Sequence, residues 1–280
     1  MKVPMSTINI EGAKANHAAG VTHWDFDKVY ADVKNEWNKY LSRVQVEGSL
    51  NDKVNFYTTL NHLYIQPNNI ADVDGIYVGP NREITKSPTG KYYSTLSHWD
   101  TFRAAFPMYT ILSSEIIDYL FTTKQESTGQ LSNVTGLIGQ YALGNEPSHH
   151  IAFLYRYLYR QHDTQRLIRQ ICRDFYQNKP DGLIGNEDCG QMSALYIYSA
   201  IGSYPVNTVG SQYIFGTPQL SKATINLDND NSFVMEAINL SEENLYIEKI
   251  ELNGELYTEN FIKHDDIMNG AKLTFYMSIQ

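Results

Sequence analysis

Apolar side chains recur at helical spacing from residue 26 to residue 201. The clearest stretch places Phe26, Val29, Tyr30, Val33, Trp37, Tyr40 and Leu41 on one face, opposite Asp32, Lys34, Asn35 and Lys39. The same spacing predicts further helices over residues 52–66, 99–112, 114–121, 148–161, 164–178 and 191–201. Pro67 ends the first of these, Pro107 kinks the second, and Gly202 ends the last. We therefore predict about seven helices with mostly short connections.

The pattern changes to short strands beyond Pro205. Runs rich in β-branched and aromatic residues predict strands at Ala223 to Leu227, Phe233 to Ile238, Leu245 to Leu252 and Lys272 to Met277. Asn253 and Gly254 form a hairpin signal, and residues 228–232 form another turn. The sequence thus predicts a mainly α fold followed by a small antiparallel β unit that packs on the helices.

Composition and charge narrow the class of ligand. The 280 residues are 42% hydrophobic and 19% charged, which is ordinary for a globular chain. The net charge of −9 argues against nucleic acid, because a phosphate backbone requires a basic surface. The 21 Tyr and 3 Trp residues suit a polar, uncharged partner such as a sugar, although core packing is the commoner role of any single Tyr.

Cysteine content and the N-terminus add little. Cys172 and Cys189 are too few for a disulfide framework and lack the CxxC spacing of a zinc or redox site. The first ten residues show neither a long apolar run nor a cleavage pattern, so we expect no signal peptide in this chain. No apolar run has the length needed to cross a bilayer.

One short signature occurs twice. Gly144, Asn145 and Glu146 are repeated as residues 185–187, and Asp188 follows the second copy. Each copy precedes a strongly apolar helical segment, where free backbone amides gather. The two helical segments between the copies, with the turn at residues 180–182, return the chain to one end of the helices. We therefore predict that the two turns share a site.

The residue types in these turns indicate two kinds of chemistry. Asn145 and Glu146 offer hard oxygen ligands, which favour calcium over zinc. Glu187 and Asp188 offer a carboxylate base. The alternative is that all of these side chains cap helices. His149 and His150 are adjacent and point about 100° apart on a helix, so at most one of them faces the site.

Three segments carry a family resemblance. Residues 136–155 (GLIGQYALGNEPSHHIAFLY), 180–196 (PDGLIGNEDCGQMSALY) and 98–103 (HWDTFR) closely resemble glycoside hydrolase family 92. That family consists of calcium-dependent, exo-acting α-mannosidases in which a β-sandwich precedes an (α/α)6 toroid. The resemblance implies hydrolysis of terminal α-linked mannose with inversion at the anomeric centre.

The family motifs also imply roles for individual residues. Asp188 resembles the general base, and Asn186 stands where some members carry an Asp that helps to orient the water. Asn145 and Glu146 lie in the block that lines the calcium and mannose subsite.

Three further residues are implied to contact the sugar. Asp100 and Arg103 match the sugar-binding WDTFR motif, and His149 is a further substrate contact. The implied partner is a mannose-containing glycan. The implied location is periplasmic or secreted, as is usual for the family.

The resemblance also implies a domain layout. Residues 1–20 correspond to the end of the sandwich and its linker, residues 21–204 to a toroid-like catalytic domain, and residues 205–280 to the β unit. Seven helices form three and a half of the six hairpins that a toroid needs. We therefore expect a partial ring, or one that a second copy completes by self-association.

One departure bears directly on catalysis. Near Leu112 and Ser113 the family has a long helical stretch with an EGNAWQY-type motif that carries the general acid, and the sequence lacks that motif. We expect proton donation to be absent unless Glu115 or Glu126 replaces it. The alternatives are a non-catalytic, calcium-linked mannose-binding remnant and a purely structural helical protein.

Overall fold

A computed structural model describes residues 1–47, 49–65, 67–79, 82–93, 101–102, 105–122, 135–180, 182–187, 190–207 and 209–279, without the side chains of Asp52, Pro107 and Thr122. Contacts divide the chain into two compact units. One unit contains residues 1–101 and 121–128, and the other contains residues 102–120 and 129–280.

Among its described residues, the first unit contains three long helices and a two-stranded sheet. Its elements are α1 (Ile10–Ala19), α2 (Phe26–Leu41), α3 (Leu50–Leu63), β1 (Ile76–Val78) and β2 (Ile84–Lys86). The side chain of Asn9 caps α1 and that of Asp25 caps α2, each by accepting a backbone N–H three residues later. The helices predicted over residues 26–41 and 52–66 are therefore confirmed, whereas α1 was not predicted.

A buried carboxylate joins α1 to the loop before β1. Asp72 is only 5% exposed and accepts hydrogen bonds from Ser6 Oγ at 2.6 Å and Asn16 Nδ2 at 2.7 Å. Asn16 Oδ1 in turn accepts the N–H of Val73 at 2.9 Å. Gly12 allows this approach, because a Cβ there would lie 2.2 Å from Asp72 Oδ2. The buried charge is thus hydrogen-bonded, as its burial requires.

Helix α2 is amphipathic, as predicted, but its apolar stripe is not buried. Phe26, Tyr30 and Val33 are 78%, 60% and 52% exposed, and α2 contains no buried residue. The sequence of α2 therefore favours a helix through the spacing of its apolar residues and through the Asp25 cap, and not through packing in a core.

The second unit contains most of the remaining helices. They are α4 (Ala105–Leu112), α5 (Glu115–Thr122), two 3-10 helices (Glu146–Ser148 and Ile151–Leu158), α6 (Gln161–Phe175), α7 (Gln191–Ala200) and α8 (His264–Met268). The helices predicted over residues 114–121, 164–178 and 191–201 are confirmed with small shifts of their ends. Part of the helix predicted over residues 99–112 lies outside the described residues.

The α-helix predicted over residues 148–161 is wrong in type. The chain forms a 3-10 helix at Ile151–Leu158, and Tyr159 ends it with a φ of 57°. The five residues from Ile151 to Tyr155 are all buried. Because the apolar side chains from Ile151 to Tyr155 are buried in succession, their spacing does not distinguish an α-helix from a 3-10 helix.

The C-terminal strands form a five-stranded sheet. Its order is β10-β9-β12-β8-β7, formed by Glu255–Leu256, Tyr246–Leu252, Lys272–Ser278, Ser232–Ile238 and Lys222–Asn226. The four predicted strands are therefore confirmed. The predicted hairpin at Asn253 and Gly254 is confirmed too, since both residues have positive φ and β9 pairs with β10.

The fold class predicted from the sequence needs two corrections. The sheet is mixed, because β12 pairs parallel with β8. The chain passes through β9, β10, β11 (Phe261–Lys263) and α8 before β12 inserts between β8 and β9. Strands also occur before residue 205, so among the described residues the fold combines helices with several sheets. The (α/α)6 toroid stays a prediction.

Strand β11 belongs to a second sheet of the same unit. It pairs with β6 (Gln212–Phe215), which pairs with β5 (Ser203–Asn207). Phe215 of β6 and Phe275 of β12 are fully buried, and their rings meet edge to face with centroids 5.2 Å apart. The two sheets therefore share one apolar core.

The Phe215–Phe275 contact predicts a large loss of stability on truncation. We expect Phe275→Ala to lower the free energy of unfolding by about 3–5 kcal/mol, because it removes a buried ring and leaves a cavity. Urea denaturation measures the change. Leu256→Ala, at a position 68% exposed, is the control and should shift stability by less than about 0.5 kcal/mol. Equal effects would contradict the assignment of this core.

Candidate functional site

The first turn follows a short hairpin of β3 (Leu137–Ile138) and β4 (Tyr141–Ala142). The N–H of Leu143 donates to the carbonyl of Gly136 at 3.0 Å, and that of Gly144 donates to Thr135 at 3.1 Å. The backbone that leads into the turn is therefore fixed by hydrogen bonds on both sides of the hairpin.

Asn145 precedes the 3-10 helix Glu146–Ser148, but its side chain does not cap that helix. Its backbone carbonyl instead accepts hydrogen bonds from Ser148, from the N–H at 2.9 Å and from Oγ at 2.5 Å. Within the described part of the chain, the buried Oδ1 of Asn145 has no hydrogen-bond partner. A buried, unpaired oxygen carries a desolvation cost that a ligand could offset.

The second turn uses its carboxylate differently. Glu187 accepts hydrogen bonds from Ser193, from the backbone N–H at 3.1 Å and from Oγ at 2.5 Å. Ser193 is the third residue of α7, so Glu187 caps that helix. The capping alternative therefore holds for Glu187. Asn186 is exposed, and Asp188 lies outside the described residues.

The two turns are in backbone contact. Gly185 has a φ of 79°, and a Cβ built on it would lie 2.6 Å from the Cα of Gly144 and 2.9 Å from its carbonyl oxygen. Nearby, a Cβ on Gly136 would lie 2.9 Å from Leu143 Cβ and 3.0 Å from Ile184 Cγ2. Only glycine allows backbones to approach this closely. The expected convergence of the two signatures is therefore found.

His149 links the same two segments through its ring. It is 1% exposed, with Nε2 at 3.1 Å from the carbonyl of Leu143 and Nδ1 at 3.2 Å from Nε2 of Gln191. A carbonyl only accepts and an amide NH₂ only donates, so the ring is the Nε2–H tautomer. Burial lowers the pKa of His149 to about 4, although the bond to Leu143 acts in the opposite direction. The ring is neutral at pH 7.

His150 has a different environment. Its Nδ1–H donates to the carbonyl of Pro147 at 2.9 Å, and burial lowers its pKa to about 4. The rings of Phe102 and Phe106 pack edge-on against it, with centroids 6.0 and 6.3 Å away. Among the described residues, its buried Nε2 has no hydrogen-bond partner. The lone pair of that nitrogen is a second buried, unpaired acceptor.

The structure thus unites part of the predicted site. It brings the segment of Asn145, Glu146 and His149 against the segment of Asn186 and Glu187. The predicted substrate residues Asp100 and Arg103 lie outside the described residues. Sequence reasoning missed Gln191, although it lies within the family-like segment 180–196, because its long-range partner cannot be identified from one sequence.

A calcium ion fits the chemistry of the first turn. The unpaired Oδ1 of Asn145 is a hard oxygen ligand of the kind calcium prefers, and the Glu146 carboxylate follows it directly. Across the described ranges, no three His, Cys, Asp or Glu residues cluster closely enough to hold a metal ion. A calcium site here would therefore depend on amide or backbone oxygens and on water as well as carboxylate.

The sequence profile of the glycosyl hydrolase family 92 catalytic domain matches residues 12–117 and 113–279. The chain therefore belongs to glycosyl hydrolase family 92. The two matched stretches overlap at residues 113–117.

Known relatives are longer than this chain. A family GH92 α-mannosidase from Bacteroides thetaiotaomicron, in a structure with mannoimidazole, is 21% identical with a TM-score of 0.58, and the match covers 98% of this chain and 62% of that one. Another structure of that α-mannosidase gives a TM-score of 0.56 at the same identity and coverage. An uncharacterized secreted glycosidase from Arthroderma benhamiae is 28% identical over 134 residues, 47% of this chain and 17% of that protein.

The contact between the turns predicts a specific sensitivity to a methyl group. We expect Gly185→Ala to destabilise the protein by about 1–3 kcal/mol more than Gly190→Ala, because only the former drives a Cβ into backbone. Gly190 is a matched control, since its φ is 81° and a Cβ there meets no atom of the described residues within 4 Å. Chemical denaturation of both variants measures the difference. Equal losses would show that the two turns do not touch.

The two buried histidines predict acid sensitivity. Their folded-state pKa values lie below the usual value, so the unfolded chain binds protons first and stability falls as pH drops from about 6.5 towards about 4. The loss at pH 4 should reach about 3 kcal/mol per ring. Denaturation at several pH values measures this slope. The double variant His149→Gln, His150→Gln should flatten it, and an unchanged slope would contradict the prediction.

Proposed function

We propose that this chain acts as a glycoside hydrolase that releases terminal α-linked mannose from glycans, with calcium bound at the paired turns. The observation that carries the proposal is the contact of Gly144 with Gly185, which brings two acid-bearing turns next to each other. Membership of family 92 and the α-mannosidase among its structural relatives support this choice of substrate.

In this proposal Asn145 and Glu146 hold the ion. The buried Oδ1 of Asn145 lacks a partner among the described residues, and coordination would satisfy it. A calcium ion held by Asn145 and Glu146 would supply electrostatic attachment for sugar hydroxyls and would favour a distorted sugar ring. The neutral His149 and His150 rings add no positive charge that would repel the ion.

Asp188 is the proposed general base. It accepts the proton of the water that attacks the anomeric carbon, while Asn186 orients that water. Glu187 is the less suitable carboxylate, because Ser193 already donates two hydrogen bonds to it. Inversion requires a water between the base and the acid, and thus carboxyls separated by about 6.5–9.5 Å.

Asp100, Arg103 and Glu146 are the proposed sugar contacts. His149 takes a supporting role in this proposal, since both of its ring nitrogens are hydrogen-bonded within the protein. Its Nε2–H donates to the carbonyl of Leu143 and so holds the backbone that leads into the first turn. The proposed site therefore combines side chains that touch the sugar with a neutral ring that fixes their backbone.

A second candidate is a calcium-linked mannose-binding protein without turnover. It is favoured by the lack of an EGNAWQY-type motif and by the two-part family match that meets at residues 113–117. Without a general acid, hydrolysis should slow by about 10²- to 10⁴-fold. The two candidates share the same sugar and ion and differ only in chemistry.

The proposed location is periplasmic or secreted. The Arthroderma benhamiae relative is described as secreted. None of the helices in the described part of the chain combines the length and apolar character needed to span a membrane. Self-association is also proposed, because the exposed apolar stripe of α2 offers a surface for a second copy.

Mannose release from an α-1,2-linked mannobiose tests the proposal. We expect slow turnover that requires calcium, that stops with a chelator, and that Asp188→Asn lowers by at least about 10²-fold, because it removes the base. Glu187→Gln is the control. It should lower stability by about 1 kcal/mol through the weakened cap and leave the rate within a few-fold.

Each other outcome has a distinct meaning. Calcium-dependent turnover at the rate of a complete enzyme would show that Glu115 or Glu126 replaces the missing acid. Calcium-linked heat on titration with mannose, without product, would establish the binding protein. Neither binding nor turnover would refute both candidates and leave a structural helical protein.

A further inference from the structure

Gln191 is the first residue of α7 and lies just after the second turn. Its side-chain Nε2 donates to Nδ1 of His149 at 3.2 Å, and it lies 3.5 Å from the hydroxyl of Tyr204. Tyr204 is itself held by stacking on the fully buried Phe153, with ring centroids 5.0 Å apart. The Gln191 amide therefore extends from the second turn to the segment of the first.

The hydrogen bonds continue to the backbone of the first turn. His149 receives a proton at Nδ1 from Gln191 and donates its Nε2–H to the carbonyl of Leu143 at 3.1 Å. Each step has one possible direction, since the amide NH₂ only donates and the carbonyl only accepts. Leu143 directly precedes Gly144, so the chain of bonds ends on the Leu143–Gly144 peptide, which directly precedes the Gly144–Asn145 peptide.

We propose that Gln191 is a positioning residue that orients Asn145 through His149 and the Leu143 carbonyl. This inference rests on the proposed function, because it assumes that Asn145 is a calcium ligand. The glycine contact joins the backbones of the two turns. The Leu143–Gly144 peptide is held on its amide side by the bond from Gly144 N–H to Thr135, and the Gln191–His149 pair holds its carbonyl side. Residues that do not bind a metal themselves can orient its ligands in this way, through hydrogen bonds.

Removing the amide should leave a defect that the protein cannot repair easily. In Gln191→Met the shape is nearly kept, but the Nδ1 lone pair of His149 loses its donor in a site that is 1% exposed. An unpaired buried acceptor is unfavourable, so the ring should change its tautomer or its orientation. Either change weakens the bond to Leu143 and loosens the peptide before Gly144.

The test is calcium binding by the full chain, measured by titration calorimetry for wild type, Gln191→Met and Gln219→Met. We expect Gln191→Met to weaken calcium binding by about 10-fold, as such supporting residues usually do. Gln219 is the matched control, since it is a half-buried glutamine whose amide donates to the carbonyl of Thr217 at 2.8 Å. Its variant should bind calcium within about 2-fold of wild type.

A nitrogen-15 NMR spectrum of the His149 ring separates this inference from the proposed function. Wild type should show only the Nε2–H tautomer, and Gln191→Met should show a mixture together with shifted amides of Gly144 and Asn145. If wild type binds no calcium, the proposed function fails while the ring spectrum still decides the positioning role. An unchanged ring and unchanged amides in Gln191→Met would overturn the inference. So would wild-type calcium affinity in Gln191→Met, or an equal loss in Gln219→Met.

Discussion

The close approach of Gly144 to Gly185 is the constraint on which the candidate site depends. A Cβ at Gly185 would lie 2.6 Å from the Cα of Gly144, so the two chain segments can meet only while residue 185 lacks a side chain. The glycine of the second signature therefore serves packing, whatever the asparagine and carboxylate beside it do. Once these backbones touch, the side chains that follow each glycine are held at one place in the second unit.

A second consequence is that one signature serves two purposes. In the first copy Asn145 uses its backbone carbonyl to hold the 3-10 helix, and its side-chain oxygen is left unpaired among the described residues. In the second copy Glu187 uses its carboxylate to cap α7. The difference follows from what comes next along the chain, a short 3-10 helix in one case and an α-helix with free N–H groups in the other. The same three-residue signature therefore has a different role in each copy, an unpaired asparagine oxygen in the first and a capping glutamate in the second.

The sequence predicted those features that are determined by residues close together along the chain. Helical spacing predicted α2, and Asn253 with Gly254 predicted the β9–β10 hairpin, because both features depend on neighbouring residues. The 3-10 helix at Ile151–Leu158 and the parallel pairing of β12 with β8 were missed, since the burial of five successive residues and the insertion of a strand depend on distant contacts. In the site, the repeated signature indicated convergence. The part played by Gln191 depends on a partner 42 residues away, which no spacing rule reveals.

The electrostatics of the site follow from the same packing. Burial keeps His149 and His150 neutral, with pKa values lowered to about 4, so two rings beside Asn145 and Glu146 contribute dipoles and no positive charge. A protonated ring there would oppose a divalent cation by several kcal/mol at close range in a poorly solvated site. The apolar surroundings that exclude water from these rings thus also keep positive charge away from the first turn. The same packing therefore has two results. The contact of Gly144 with Gly185 brings the turns together, and the burial of the histidines keeps both rings uncharged.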